Sequence, residues 1–352
     1  MTNSVQNEKE NQAPRKYPQA VVMQMVSGLG FSMAVKTAVD LGVFSALKDG
    51  RASVETLAES LKLNPSALSR LLRALESVGL VVQEEDCYFD VTEYGATLIP
   101  GKTPKSIKPL VDYLLHETVV QSMFKMDYSI RTGKSSFEEI YGEKWYENDQ
   151  LDKEYLKTMN KAMEIYSKMS LPALLASYSF EPYDVIVDVA GGMGQLLTGI
   201  LSSAPESKGI LFDLPKTIES AKEYLASAEV SERCNFIGGS MFDEIPSGGS
   251  LYVISKVLND WDDEHVVSIL RNISNVMSDN AKLIIIENVP DAGRLSPEEA
   301  FRDLLFLVCS AGGRVRKKKD FENLIAKVGL TLKNVIQTPS KFSIIECEKK
   351  NN

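Results

Sequence analysis

After Pro182 the chain alternates short apolar runs with amphipathic stretches. Runs at 184–189, 208–212, 234–238, 251–255 and 281–287, and weaker ones near 331–337 and 342–347, have the length of buried strands, and the stretches between them have helical spacing. This alternation predicts an α/β fold: a doubly wound, mostly parallel sheet of seven strands, forming a Rossmann-like domain over 181–352.

The pattern upstream is different. From Tyr17 to Leu47 apolar residues, among them Met23, Met25, Val26, Phe31, Met33 and Val35, fall on nearly every helical face. A helix apolar all round has to be covered, and in a small N-terminal domain a second subunit is the least costly cover, so a dimer is expected. Ser53 and Thr56 are candidate caps of a following helix. Asn64-Pro65 opens another, with Leu68, Leu71, Leu72 and Leu75 at helical spacing before Gly79 ends it. Val81-Val82 and Tyr88–Val91, around the acidic residues 84–86, predict a hairpin. The outline is a winged-helix dimerisation domain over 16–102, behind a polar tail over 1–15. Residues 103–180 read as a helical connector rich in Met and aromatic residues. Met123, Phe124, Met159, Met163 and Tyr166 are its candidates for lining an adaptable apolar pocket for a flat ligand.

Charge narrows the function of the winged helix. A net charge of −9 and an acidic wing oppose attraction to phosphate backbones, so nucleic acid is not an expected partner. Cys87, Cys234, Cys309 and Cys347 show no CxxC spacing and the histidines are only His116 and His265, so neither a disulfide framework nor a metal site is expected. No unbroken apolar run reaches the roughly 18 residues of a membrane span, and the N-terminus lacks the form of a signal peptide. A cytoplasmic location with no membrane partner is the expectation. The basic run Arg314, Arg316, Lys317, Lys318 and Lys319 reads as a solvated loop and helix start.

In an open parallel sheet the ligand crevice lies at the carboxyl ends of the strands, and here those ends carry a coherent set. The first strand ends in Asp188 and a turn containing Gly191, Gly192 and Gly194, suited to close approach of a ligand to backbone amides. The second ends at Asp213, placed to accept ribose hydroxyls. Past the third, Ser240, Met241 and Phe242 offer a hydroxyl and two apolar faces for an adenine ring. The turn lacks the final small residue of the dinucleotide fingerprint, which argues against a nicotinamide cofactor.

From about residue 18 to 349 the chain resembles the plant caffeate-type and bacterial polyketide O-methyltransferases. The resemblance is carried by Asp188-Val189-Ala190-Gly191-Gly192-Met193-Gly194, Phe212-Asp213-Leu214-Pro215, the segment Ser255–Glu264, Glu287 and Gly312-Gly313-Arg314. It implies S-adenosylmethionine as cofactor, with its methionine part on the glycine turn and its ribose at Asp213 and Leu214. It also implies that Met241 flanks adenine and that Lys256 lies at the cofactor. A small aromatic or polyketide acceptor and a homodimer follow from the same resemblance.

The catalytic pattern departs from that family. Its histidine base falls at Asn259, one orienting glutamate survives as Glu287, and the other aligns with Val315; Ala190 and Ser240 replace a usual Gly and Asp. Asn can position a hydroxyl but not remove its proton. Drawing the phenolate of a phenol of pKa near 10 from solution at pH 7 costs about 4 kcal/mol, within what orientation can offset. Asp260, Glu287 and His116 are the candidate bases. Three reaction classes fit: O-methylation of a phenol- or quinone-like hydroxyl in secondary metabolism; methylation at nitrogen, carbon or sulfur; and a non-methylating hydroxylation, decarboxylation or pericyclic step that uses the cofactor as a scaffold.

Overall fold

The computed structural model describes residues 17–85, 87–101, 106–145, 153–226, 228–290, 294–310 and 312–350. Internal contacts divide the chain into two units, with the boundary between Lys108 and Pro109, so the helical connector clusters with the sheet that follows it.

In the first unit α1 (Pro18–Asp40) and α2 (Val43–Ala46) are separated at Gly42, whose φ of +75° is left-handed and suits glycine. Then come β1 (Ala52–Ser53), α3 (Val54–Leu61), α4 (Pro65–Ser77), β2 (Val81–Glu85), β3 (Tyr88–Val91) and α5 (Glu93–Ala96). The three strands pair in the order β1-β3-β2, and Leu57, Leu68, Leu72, Leu75 and Phe89 fill the core between sheet and helices. Ser53 caps α3 by accepting from the Thr56 backbone N–H at 3.1 Å, whereas the Thr56 hydroxyl only pairs with that of Ser53 and is no second cap.

In the single chain α1 leaves Val22, Met23, Met25, Val26 and Leu29 exposed, the side for which a second subunit is the expected cover. It is also long and apolar enough, by length and composition alone, to cross a membrane, with a mean hydropathy of 1.2. The expectation that no segment has this property counted unbroken apolar runs. Ser27, Ser32 and the glycines of α1 interrupt the run while lowering its mean hydropathy little.

The boundary falls after the first residue of α6 (Lys108–Leu114), and the second unit continues with α7 (Glu117–Phe124), α8 (Met126–Thr132), α9 (Ser136–Tyr141) and the long α10 (Lys153–Ser177). The alternating part follows: β4 (Val185–Val189), α11 (Gln195–Ser203), β5 (Lys208–Asp213), α12 (Pro215–Leu225), β6 (Cys234–Gly238), β7 (Leu251–Ser255), α13 (Asp263–Val276), β8 (Lys282–Glu287), α14 (Pro297–Cys309), α15 (Lys318–Ala326), β9 (Leu330–Gln337) and β10 (Ser343–Lys349). These strands form the Rossmann-like sheet of seven in the order β6-β5-β4-β7-β8-β10-β9. The strands from β4 to β8 pair in parallel and β10 runs antiparallel to both its neighbours. Central strands are buried on both faces, which is why they read as continuous Val, Ile and Leu runs.

Two features of this topology position the crevice. The strand order reverses between β4 and β7, so the loops leaving them part and open a cleft beyond Val189 and Ser255. The antiparallel β10 begins where β8 ends, Ser343 opposite Glu287, so Lys341 and Phe342 arrive at the same edge.

Candidate active site

Beyond β4 the chain turns through Ala190, φ +55°, and Gly192, φ +61°, before Gly194 caps α11. A Cβ on Gly191 would lie 2.5 Å from Leu211 Cδ1 and 2.6 Å from Asp188 Oδ2, while the space beside Gly192 is open. Asp188 is buried, its Oδ2 has no hydrogen-bond partner, and desolvation pushes its pKa up to about 7 against the pull of Lys256. Asp213 ends β5 and closes the turn, Oδ2 accepting from Gly192 N–H at 2.8 Å and Oδ1 from Leu214 N–H at 2.7 Å. Leu214 stands exposed at the rim. An open glycine edge, an aspartate beside it and an unsatisfied buried carboxylate oxygen suit a ligand that carries both an amine and ribose hydroxyls.

Of the residues expected beside adenine, Ser240 Oγ accepts from Phe242 N–H at 3.2 Å, Met241 packs on the sheet core, and Phe242 lies edge-on to Trp261 at 4.8 Å. Lys256, just past β7, also has a left-handed backbone, φ +59°. Residues strained in this way, Ala190 and Lys256, thus follow both strands that flank the reversal, as ligand-binding turns often require. Lys256 Nζ donates to Ser167 on α10 at 2.8 Å, and burial brings its pKa down to about 8.

The next turn, Leu258–Asp260, carries Asn259, only 2% exposed. Its backbone N–H donates to Glu287 Oε1 at 3.3 Å and its Nδ2 to Oε2 at 2.9 Å. A carboxylate accepts only, so this pairing fixes the amide with its nitrogen on Glu287, and the buried Oδ1 is left without a partner. Glu287 is itself buried at the end of β8, and desolvation pushes its pKa up to about 7. Gly313 has to be glycine because a Cβ there would sit 2.8 Å from the carbonyl oxygens of Asn259 and Asp260.

The basic run is not wholly solvated, which corrects the expectation for Arg316. It is the largest fully buried side chain among the described residues, donating at 2.6 Å to each of Leu258 O and Trp261 O and pairing with Asp263 at 2.8 Å. Those carbonyls bracket Asn259, so Arg316 clamps the turn that carries it. Val315, where a second glutamate was expected, donates its backbone N–H to Asp303 at 2.7 Å, a contact that holds the loop and supplies no acid at the site.

The remaining predicted residues are scattered. His116 caps α7, its Nδ1 accepting from Thr118 N–H at 3.3 Å while the ring packs 4.2 Å from that of Tyr155. That is a structural role for one of the three candidate bases. Asp260 is half-buried and acts electrostatically on Tyr113, whose hydroxyl is held protonated first by burial and then by Cys309 and Asp260. Met123 packs against Val119, Phe137, Trp145 and Tyr155 as core. Phe124, expected to line a pocket, is 64% exposed: it ends α7 and turns away from that core. Met159 and Met163 are half-buried at helical spacing from Tyr166 on α10, whose next residue, Ser167, reaches Lys256.

Sequence reasoning missed three residues beside Glu287 and Lys256. Arg302 on α14 lies 5.2 Å from the Tyr166 ring and 5.7 Å from that of Phe342, and Lys341 lies 4.4 Å from Tyr166. The strand register that carries Lys341 and Phe342 to the end of β8 is the signal for those two, and no sequence signal marks Arg302.

The comparisons agree with this geometry. Residues 124–331 match the model of the O-methyltransferase domain and residues 23–101 that of the O-methyltransferase dimerisation domain. The chain is 32% identical over 328 residues to the phenazine O-methyltransferase PhzM of Lysobacter antibioticus, covering 93% of this chain and 95% of that protein. Its fold is similar to the solved structure of the mitomycin 7-O-methyltransferase MmcR, with TM-score 0.88 and 30% identity over 94% of this chain and 98% of that one. It is also similar to an O-methyltransferase from neocarzinostatin biosynthesis in complex with S-adenosylmethionine and 2-hydroxy-5-methyl naphthoic acid, with TM-score 0.78 and 28% identity over 91% and 96% of the two chains. A glycine turn that leaves room for a ligand, followed by an acidic strand end, is what that shared cofactor requires, and the chain belongs to the O-methyltransferase family as an S-adenosylmethionine-dependent methyltransferase.

Proposed function

We propose that this protein methylates a hydroxyl of a small aromatic or polyketide-derived acceptor, phenol- or quinone-like, in secondary metabolism, with Asn259 positioning the hydroxyl in place of a histidine base. The observation that carries this reading is the Asn259 amide held by Glu287 with its buried Oδ1 unpartnered. An unsatisfied buried acceptor costs about 1–3 kcal/mol, which a hydroxyl donating to it relieves.

In this reading Gly191, Gly192, Asp188, Asp213 and Lys256 hold the cofactor, with Ser240, Met241 and Phe242 on its adenine side. When bound, S-adenosylmethionine would supply an electrophilic methyl and leave as the neutral thioether, while the acceptor oxygen gains the methyl and its proton passes to solvent water. Glu287 holds the amide so that Oδ1 faces the incoming hydroxyl. Arg316 fixes the turn on which that geometry depends. Tyr166, Met159 and Met163 supply apolar and aromatic surface for a flat acceptor. Two subunits, each covering the apolar side of α1 of the other, form the active homodimer; the match to a dimerisation domain over 23–101 supports this assignment.

Incubation of the full chain with methyl-labelled S-adenosylmethionine and a panel of phenols, hydroxyquinones and hydroxyphenazines tests the proposal. Label on oxygen is the expected result. Label on nitrogen or carbon only, or no labelled product in the presence of tight cofactor binding, would overturn it.

A further inference from the structure

Three cations converge on one ring. Lys256 Nζ, the Arg302 guanidinium and Lys341 Nζ lie 5.5, 5.7 and 5.9 Å from the centroid of the buried Phe342. Lys256 is occupied by Ser167, and Lys341 is tied at 2.6 Å to the exposed Glu298. Arg302 differs from both. Its side chain is half-buried, it touches the faces of Tyr166 and Phe342, and no carboxylate or other hydrogen-bond partner meets it among the described residues.

A guanidinium held by rings alone spends none of its N–H groups on them, and its planar fork suits a bidentate acceptor. Like charges gathered inside a half-buried crevice repel, and a fold holds them together where an anion arrives to offset them. The carboxylates of the crevice offset these charges without pairing with Arg302: Asp188 and Glu287 act on Lys256, Glu287 and Glu298 act on Arg302 through space, and Glu287 is engaged through both oxygens by Asn259. Desolvation also raises the pKa of Asp188 and of Glu287 to about 7, so neither is fully charged at neutral pH. The bound cofactor adds a sulfonium and makes the crevice more positive.

We propose that Arg302 is a substrate-recognition residue and that the acceptor binds as an aromatic anion, an oxygen of that anion seated on the Arg302 guanidinium while its ring lies against Tyr166. The inference rests on the methyltransferase reading above and names the acceptor class for it. The anionic oxygen has two chemical sources: a ring carboxylate beside the target hydroxyl, or the ionised hydroxyl itself. In the second case the neutral hydroxyl first donates to Asn259 Oδ1 and then gives its proton to solvent, and Arg302 lowers the acceptor's own pKa, favouring by electrostatics the ionisation that the absent histidine would bring about by proton transfer. The titratable and charged groups facing Arg302 are Tyr113 from α6, Tyr166 from α10, Lys256 past β7, Glu287 on β8, Glu298 on its own helix, and Lys341 before β10.

The test measures binding and turnover separately on the full chain. Binding of hydroxybenzoic, hydroxynaphthoic and hydroxyphenazine carboxylic acids, their methyl esters and the parent hydroxyarenes is followed by calorimetry with S-adenosylhomocysteine present, in wild type and in Arg302→Met. If a carboxylate is the source, wild type prefers acid over ester by at least about tenfold and Arg302→Met removes the preference while ester affinity holds. If the ionised hydroxyl is the source, acid and ester bind alike, affinity rises with pH through the hydroxyl pKa, and Arg302→Met flattens the rise. Arg302→Lys, which keeps the charge and loses the fork, retains part of either effect and serves as the folded control if the Met variant is unstable.

Acid-to-ester ratios and pH dependences identical in wild type and variant would overturn the proposal, leaving Arg302 as packing. Failure of the methyltransferase reading has a different signature: Arg302-dependent binding of the anions with no labelled methyl product from any of them.

Discussion

The two halves of the crevice are built by different means. At the ends of β4 and β5 the surface is backbone: a glycine turn with left-handed residues, its amide tied to Asp213, and room beside Gly192. At the ends of β7 and β8 it is side chain, with Asn259, Glu287, Arg302, Arg316 and Lys341 arriving from separate elements. A backbone cradle tolerates changed side chains, such as Ala190 and Ser240, but not added volume. A side-chain site tolerates a changed residue when its partner can still pair with it, and Glu287 accepts from an Asn amide as readily as from an imidazole N–H. Chemistry can therefore be altered in the second half while cofactor binding in the first is left intact.

The sharpest way to break this contrast is Gly191→Val. The new side chain would collide with Asp188 Oδ2 and Leu211, so affinity for S-adenosylhomocysteine should fall about a thousandfold, about 4 kcal/mol, in calorimetry. A loss under tenfold would mean that the cradle yields and the cofactor half is not set by backbone. Ser240→Asp, a side-chain change in the same half, should stay within about threefold.

Next in size is Arg316→Met. Removing the buried guanidinium strands Leu258 O and Trp261 O and leaves Asp263 with Arg314 alone, which should cost about 3 kcal/mol, seen as a lower denaturant midpoint. The neighbouring exposed Lys318→Met should shift it by about 0.5 kcal/mol or less. An Arg316→Met midpoint equal to wild type would return the whole basic run to solvent.

Legibility followed the same division. The central strands were readable because both-face burial writes continuous apolar runs, while the edge strand β9, buried on one side only, gave a weaker run; the glycine turn was readable because backbone constraints select glycine at fixed spacing. Asn259 and Glu287 were readable through resemblance, each close to its own motif. Arg302, Arg316 and Lys341 were not, because nothing local marks a charged residue as buried. Arg316 looks like its exposed neighbours in sequence, and Arg302 acquires its meaning only when α14 packs beside β10 and α10. Phe124 failed for the converse reason, since an aromatic at the last position of a helix has no periodicity to say which way it faces.

A smaller effect is expected of Glu287→Gln. With its pKa raised to about 7, Glu287 is neutral in acid and ionised above neutrality. A neutral carboxyl donates from one oxygen and opposes the Asn259 amide in its observed orientation, so kcat/KM should rise with pH through about 7. Glu287→Gln should lower kcat/KM about tenfold and remove that limb. Stability carries the opposite sign. A carboxyl whose folded pKa lies above its unfolded value binds more protons when folded, so its contribution falls as pH climbs from about 4.5 to 7 and the glutamine variant should lose this slope. A limb that persists in Glu287→Gln would assign the titration to another group.

The smallest effect belongs to His116→Ala, and it decides between two roles for one residue. As the cap of α7, His116 holds the Thr118 N–H and packs on Tyr155, so its removal should cost about 1 kcal/mol in unfolding free energy. It should change kcat by less than about threefold at any pH between about 6 and 9, because a cap takes no proton from the acceptor. A base there would behave differently: loss of its imidazole would lower kcat by a hundredfold or more, about the usual worth of general-base catalysis, and erase an ionisation near the usual histidine value. Asn259→His separates the alternatives further. If the crevice has no base, an imidazole placed on Glu287 should raise kcat for neutral phenols and leave already ionised acceptors unchanged, so the gain should grow with the acceptor's pKa. If His116 already supplies the base, the same substitution should bring no gain for either class.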